Sequence, residues 1–130
     1  MKLGIFGGSF DPVHLGHLIL AEQCREKACL DRVLFVPAAR PPHKPDRTLT
    51  AFHMRVEMLT LAISGNPAFR VDELENDRPG PSYTVFTLEE LKKRDPDADL
   101  HLILGGDSLV DLPLWYQPRR ILELAGLPTA

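Results

Sequence analysis

Short, almost continuous apolar runs alternate with amphipathic stretches along this chain of 130 residues. The apolar runs have the length and composition of buried strands, and they are Leu3–Phe6, "RVLFVP" from Arg32, "FRVDE" from Phe69 and "LHLILGGD" from Leu100. The amphipathic stretches have apolar residues at helical spacing, and they are Leu15–Ala28, Ala51–Ile63 and Thr84–Arg94. Strands that are apolar on both faces are typical of a parallel sheet covered by helices on both sides. We therefore expect one α/β domain over residues 1–130, built on a doubly wound parallel sheet.

Composition narrows the class of protein further. The net charge of −3 predicts no general attraction to nucleic acid or to an anionic membrane. No apolar run approaches the roughly 18 residues of a membrane span, and the apolar stretch at the N-terminus is too short for a signal peptide. Cys24 and Cys29 point to different faces of one predicted helix, so we expect reduced thiols in a cytoplasmic protein. No cysteine or histidine cluster has zinc spacing, so no metal held by the protein is expected.

The stretch "GGSFDPVHLGH" follows the first predicted strand and carries the strongest local signal. Gly7 and Gly8 are expected at the strand exit, where glycine permits a positive φ and the close approach of a ligand to the backbone. A plain tight turn is the alternative interpretation. The pattern is neither G-x-G-x-x-G nor a P-loop, so the common dinucleotide and phosphate-loop explanations do not apply.

The same stretch continues into a predicted helix that Asp11-Pro12 is expected to start. His14 and His17 are then neighbours on its first turn, where unpaired N–H groups and a partial positive charge attract phosphate. Gly16 lies between them and is expected to leave room for a flat nucleotide. A single histidine here would more often be structural, but this combination favours a phosphate site.

Other chemistry-bearing segments are expected at the same rim, because ligands of such sheets bind beyond the carboxyl ends of the strands. The proline-rich, basic loop after the second strand carries His43 and Lys44, which can reach phosphate. For Lys44 an ordinary solvated surface charge is the alternative. The segment from Ser82 to Thr84 opens a helix whose N-terminus suits a carboxylate. Capping of that helix by Ser82 or Thr84 is the other interpretation, and both roles can hold because N–H groups not taken by the cap stay free.

Two further positions have open alternatives, and two charges are set aside. Asp107 either accepts hydrogen bonds from ribose hydroxyls or caps a short helix. Trp115, the single tryptophan, is by itself more typical of core packing. Arg55 and Glu57 are interpreted as surface charges on the second helix and excluded from the site.

Four segments together resemble one family. "GGSFDPVHLGH" is similar to the H-x-G-H signature of the nucleotidylyltransferase superfamily, in its G-x-F-D-P-x-H-x-G-H form. "PAARPPHK", "RPGPSYTVFTLEEL" and "LILGGDSLVDLPLW" narrow the resemblance to the bacterial nicotinate mononucleotide adenylyltransferases. The match keeps the order of the family over almost the whole chain. It implies a Rossmann-like fold and the reaction of ATP with nicotinate mononucleotide to give deamido-NAD and pyrophosphate.

The resemblance also implies a set of site residues. The ATP-binding positions would be Gly7, Gly8, Ser9, Phe10, His14, Gly16 and His17. The acceptor-binding positions would be His43, Lys44, Ser82, Tyr83, Thr84, Gly106, Asp107 and Trp115, with Trp115 stacked on the pyridine ring. His14, His17 and Lys44 would be catalytic by neutralising phosphate charge. The nucleophile is a substrate phosphate, so no general base is needed, and Mg²⁺ would arrive on the ATP phosphates.

The chain departs from the family at its end. The family continues with at least one more strand and an I-S-S-T-x-x-R-like phosphate-binding motif, which does not occur in these 130 residues. Without that strand, an apolar sheet edge would be exposed. Two explanations stay open: a truncated product, or a short form whose copies assemble over the edge. A non-catalytic nucleotide-binding remnant and a transferase with a different phosphate acceptor remain the alternative functions.

Overall fold

A computed structural model describes residues 1–40, 49–105 and 112–127 of the chain. Its four strands form one parallel sheet in the order β3-β2-β1-β4, and they are β1 (Lys2–Gly8), β2 (Arg32–Pro37), β3 (Phe69–Val71) and β4 (Asp99–Leu102). The α-helices are α1 (Leu15–Ala28), α2 (Phe52–Ile63), α3 (Thr84–Arg94) and α4 (Pro118–Leu124). Two short 3₁₀ turns are Leu74–Asp77 and Leu112–Leu114.

Helices cover both faces of the sheet, which confirms the predicted doubly wound architecture. Neighbouring residues of each strand point to opposite sides, so Phe35 packs with α1 and α2 while Val36 packs with α3 and α4. Strand order reverses at β1, because β4 returns to the side away from β2. The carboxyl end of β1 therefore lies at the switch point, where doubly wound sheets bind ligands. Among the described helices, none is long and apolar enough to cross a membrane.

The end of β1 differs from the prediction. The strand does not stop at Phe6 but continues through Gly7 and Gly8, which pair with Val36 and Pro37 of β2. Neither glycine has a positive φ; the left-handed residue is Phe10, with φ 47°. The predicted strand exit was wrong because ladder pairing with β2 holds the chain extended for two more residues.

The start of α1 also differs. Asp11 and Pro12 lie in a turn joined by a cis peptide bond, and the helix begins later, with His14 as its N-cap. The carboxylate of Asp11 accepts a hydrogen bond from the backbone of Thr50 at 2.9 Å. Asp11 thus fastens this loop to the approach of α2.

The outer edge of β4 carries a further contact. Gly126 forms a parallel bridge to His101, since its N–H donates to the carbonyl of Leu100 at 2.9 Å and its own carbonyl accepts from Leu102 at 2.7 Å. The expected bare edge is therefore partly covered within residues 112–127.

Arg55 corrects the sequence interpretation most. Only 2% of this residue is exposed, although it was expected on the surface. Its Nε donates to the carbonyl of Thr50 at 2.8 Å, and its Nη1 donates to those of Ser9 and Ala38 at 2.9 and 2.8 Å. Burial lowers the pKa of the Arg55 guanidinium, and the negative charge of Asp11 opposes that shift. Arg55 thereby ties the loop after β1, the loop after β2 and the approach of α2 together.

Replacing Arg55 by methionine should destabilise the fold. The substitution removes the donor from three carbonyls at once, and each buried acceptor left unpaired costs about 1–3 kcal/mol. We expect the free energy of unfolding, measured in urea, to fall by about 3 kcal/mol or more. Glu57→Gln, two positions along the helix and exposed, is the control and should change it by less than about 0.5 kcal/mol. Equal stability of the two variants would contradict this role of Arg55.

Candidate active site

Two histidines at the start of α1 hold each other through the backbone. Nδ1 of His14, the N-cap, accepts a hydrogen bond from the backbone of Gly16 at 3.1 Å. The backbone N–H of His14 in turn donates to Nδ1 of His17 at 3.0 Å. This is the reciprocal geometry of a capping box, with imidazoles in place of the usual serine and glutamate.

These two hydrogen bonds fix the protonation pattern of both rings. A ring nitrogen that accepts a hydrogen bond carries no proton, so each neutral imidazole must hold its proton on Nε2. The rings of His14 and His17 stack with centroids 3.8 Å apart and planes 26° from parallel. The pair therefore presents two neighbouring Nε2–H donors at a helix N-terminus, which is suited to a phosphate.

The position of His17 is set by aromatic packing. Its ring centroid lies 5.0 Å from that of Phe10 and 5.9 Å from that of Phe6, both in edge-on arrangements. Burial lowers the pKa of His17, and the charge of neighbouring His14 lowers it further. Phe10 is 3% exposed, so its ring belongs to the core beneath His17 and leaves almost no surface for a ligand. A contribution of Phe10 to ATP binding stays a prediction, and it would have to act through His17.

Gly7, Gly8 and Gly16 differ in the space that a side chain at each position would have. A Cβ at Gly16 would lie 2.9 Å from Cε1 and 3.0 Å from Nδ1 of His14, so the space beside Gly16 holds that imidazole. In this structure the His14 ring fills the space expected for a flat nucleotide, and a contact of Gly16 with a nucleotide stays a prediction. At Gly7 and Gly8 a Cβ would meet only ordinary contacts, at 3.8 Å from Val36 O and 3.7 Å from the Phe10 ring. Among the described residues, none gives a steric reason for glycine there, whereas a closely approaching ligand would.

The N-terminus of α3 is free of side-chain capping. Its N-cap is Tyr83, whose side chain makes no capping hydrogen bond, so neither Ser82 nor Thr84 has the capping role considered above. Ser82 is 7% exposed, and its Oγ accepts from the backbone of Arg40 at 3.0 Å. The first-turn N–H groups of α3 keep their capacity to bind a carboxylate.

A buried polar cluster supports this helix from below. Glu75 and Thr87 are 5% and 2% exposed, and the Thr87 hydroxyl donates to Glu75 Oε2 at 2.6 Å while it accepts from Arg78 Nη2 at 3.0 Å. Burial raises the pKa of Glu75; hydrogen bonds from Thr87 and Ser82 and the charges of Arg78 and Arg40 oppose the shift. The cluster fixes the turn before α3. Sequence reasoning missed it because the glutamate and arginine look like ordinary surface charges.

The remaining predicted acceptor residues divide into two groups. Tyr83 and Trp115 are half-buried and pack against the same apolar cluster, and the Tyr83 ring also lies 4.7 Å from that of Tyr116, centroid to centroid. Stacking of Trp115 on a ligand ring stays a prediction. The other group, His43, Lys44, Gly106 and Asp107, falls outside the described residues.

A chain of contacts joins the loop before the histidine pair to Ser82, in the segment before α3 that is predicted to bind the acceptor. Ala38 donates from its backbone to the carbonyl of Gly8 at 2.8 Å, which links the ends of β1 and β2. Two residues further on, the carbonyl of Arg40 accepts from the backbone of Ser82 at 2.9 Å. The structure thus brings three of the predicted segments to the same rim of the sheet, as expected.

Comparison with known proteins places the chain. A family model described as cytidylyltransferase-like matches residues 5–128, and the chain belongs to this family. Its curated relatives include probable nicotinate-nucleotide adenylyltransferases. The protein of Thermomicrobium roseum is 52% identical over 99% of this chain and 60% of its own length. That of a strain of Thermus thermophilus is 51% identical over 98% of this chain and 67% of its own length.

Solved structures agree on the fold. A putative nicotinate-nucleotide adenylyltransferase from Vibrio parahaemolyticus superposes with a TM-score of 0.80 at 23% identity, covering 97% of this chain and 71% of that one. The nicotinic acid mononucleotide adenylyltransferase of Plasmodium falciparum, complexed with NaAD, also gives 0.80 at 23% identity, over 92% and 59%. The chain spans about 60% of the length of the first curated relatives that it matches.

Gly16→Ala should separate ligand binding from stability. The new methyl group would push the His14 ring from its position, since the clash is with a rotatable side chain. Loss of the cap costs about 1 kcal/mol, but alanine within a helix regains about as much. We expect an almost unchanged melting temperature and, for the ATP site proposed below, an affinity by titration calorimetry that falls about tenfold. Gly65→Ala, where a Cβ meets nothing within 4 Å, is the control. Wild-type affinity of Gly16→Ala would contradict the argument.

The lowered pKa of His17 predicts a loss of stability in acid. The unfolded chain takes up a proton on this residue near pH 6.5, whereas the folded protein does so only at lower pH. The contribution of His17 to the free energy of unfolding is therefore complete above about pH 6.5. It is lost as the pH falls from 6.5 through the lower pKa of the folded state. We expect the difference in unfolding free energy between wild type and His17→Asn to shrink as pH is lowered from about 7.5 to about 5. A constant difference in urea titrations over this range would contradict the assignment.

Proposed function

We propose that the protein containing this chain transfers the adenylyl group of ATP to nicotinate mononucleotide, giving deamido-NAD and pyrophosphate. The observation that carries the proposal is the paired imidazoles of His14 and His17 at the helix N-terminus. Relatives about half identical over nearly the whole chain, named as nicotinate-nucleotide adenylyltransferases, support the same reaction.

The reaction needs positioned charge rather than a protein base. The phosphate of the mononucleotide is largely ionised at neutral pH, because its second pKa is about 6. One of its oxygens attacks the α-phosphorus of ATP, and the bond from that phosphorus to the bridging oxygen of the β-phosphate breaks. The electron pair leaves with pyrophosphate. Nε2–H donors of His14 and His17, with the positive end of α1, stabilise the charge that develops on these oxygens.

ATP enters as its magnesium complex in this proposal. Mg²⁺ favours phosphate oxygens and water over a cage of protein ligands, so it is carried by the substrate. Gly7 and Gly8 carry no side chain at the end of β1, so the phosphates can approach the backbone closely there. Ser9 and Gly16 complete the proposed ATP side.

The acceptor lies on the other side of the rim in this proposal. The uncapped N-terminus of α3 receives the carboxylate of the nicotinate ring through the N–H group of Thr84. The N–H of Tyr83 donates to the carbonyl of Pro81 at 3.0 Å and holds the turn before it. Trp115 stacks on the ring, and Ser82 supports the segment from its buried position. Proposed partners of the acceptor phosphate and ribose are His43, Lys44, Gly106 and Asp107.

The test is the release of pyrophosphate from MgATP by the natural protein. Release should require nicotinate mononucleotide, and nicotinamide mononucleotide should react at least about tenfold more slowly, because it lacks the carboxylate that α3 attracts. Equal rates would indicate a different acceptor site. Binding of the nucleotides without turnover would identify a binding protein and overturn the proposal.

His14→Asn tests the imidazole itself. Asparagine is a good N-cap, so the variant should keep α1 and the melting temperature. It lacks the Nε2–H donor, and the turnover number should fall by about 10²–10³. His53→Asn on the exposed face of α2 is the matched control and should retain wild-type turnover. Full activity of His14→Asn would rule out the role given to this ring.

A further inference from the structure

Arg40 connects the two loops that flank the acceptor side of the site. Its backbone pairs with Ser82 in both directions: the Arg40 N–H donates to Ser82 Oγ at 3.0 Å, and the Ser82 N–H donates to the Arg40 carbonyl at 2.9 Å. Its guanidinium donates to the carbonyls of Gly80 at 2.6 Å and Glu75 at 3.3 Å, and to that of Arg78. One side chain thus serves three carbonyls of the segment that leads into α3.

The segment 79–82 depends on these contacts. Pro79 and Pro81 have no N–H to donate, and Gly80 has a φ of +82°. Within the part of the chain that the structure describes, the backbone of 79–82 makes one local hydrogen bond, from the Tyr83 N–H to the Pro81 carbonyl. Its other hydrogen bonds are all with Arg40. The stiffness of two prolines reduces the number of conformations, but it does not fix where the segment lies. Arg40 does.

We propose that Arg40 is a positioning residue that holds segment 79–82 in place and thereby sets the affinity for the mononucleotide acceptor. The inference rests on the proposed function, because it takes the N-terminus of α3 as the acceptor site. Ser82 lies directly before the N-cap Tyr83, so displacement of the segment moves the N–H groups that receive the carboxylate. The ATP side has contacts that do not involve the Arg40 side chain, from Arg55 to Ser9 and within the histidine capping box.

A purely electrostatic role is the competing explanation. A positive charge near α3 would attract an anionic acceptor wherever its hydrogen bonds went. Lysine keeps that charge, but its ammonium group cannot reproduce the planar fork that serves several carbonyls at once. Arg40→Lys therefore distinguishes the two roles, and Arg40→Gln removes both the charge and the fork.

The experiment compares Arg40→Gln, Arg40→Lys and wild type in steady-state kinetics. For Arg40→Gln we expect the KM for nicotinate mononucleotide to rise about tenfold or more, with the KM for ATP and the turnover number within about twofold. Arg40→Lys should recover only a small part of the loss. Arg70→Gln is the matched control, since Arg70 is also exposed and donates to two backbone carbonyls, those of Phe69 and Pro67. Arg70 lies on β3 and makes no contact with segment 79–82 among these hydrogen bonds. It should leave all three parameters within about twofold.

A second measurement does not depend on turnover. Amide hydrogen exchange of the peptide covering 79–83 should be about tenfold faster in Arg40→Gln than in wild type, and unchanged in Arg70→Gln. An unchanged exchange rate, a wild-type KM for the acceptor in Arg40→Gln, or full rescue by lysine would overturn the inference. If wild type releases no pyrophosphate with nicotinate mononucleotide, the proposed function fails, and the exchange rate still decides whether Arg40 holds the segment.

Discussion

The arrangement of the rim depends on the buried guanidinium of Arg55. A cation in an apolar interior is tolerated only when its hydrogen-bonding groups are satisfied. Here Nη1 donates to Ser9 and Ala38, and Nε donates to Thr50. These acceptors come from the ends of two neighbouring strands and from the approach of α2, so the side chain that needs them also organises them. The histidine pair and the acceptor segment are attached to these loops.

The sequence could predict the sheet because the signals are local and repeated. The four apolar runs and three helical patterns each persist over several residues, and the four strands and helices α1, α2 and α3 fall within or close to them. Arg55 was missed because a charge was interpreted by its type rather than by its position. It precedes Leu59 and Ile63 by one and two helical repeats, and these three are the buried residues of α2. That spacing placed Arg55 on the core face.

In the candidate site, too, the local features could be predicted from the sequence and the side-chain contacts could not. The spacing of His14 and His17 correctly predicted that the two rings would be neighbours. It could not predict that each Nδ1 would accept a backbone hydrogen bond, because that depends on side-chain rotamers and on the extended backbone of His14. The role of Gly16 follows from the same rotamer. Similarly, "RPGPS" could be identified as a loop, but its attachment to Arg40 joins residues about 40 positions apart. No local pattern encodes a pairing of that range.

The double hydrogen bond of Arg55 Nη1 also constrains how a ligand can enter. The carbonyls of Ser9 and Ala38 both lie within hydrogen-bond distance of one nitrogen, so the loops after β1 and β2 cannot part without stranding a buried cation. That separation would cost several kcal/mol. The loops after β1 and β2 are therefore expected to keep their separation when a ligand binds between them. A ligand that binds at this rim would meet a surface that is already formed at the ends of β1 and β2.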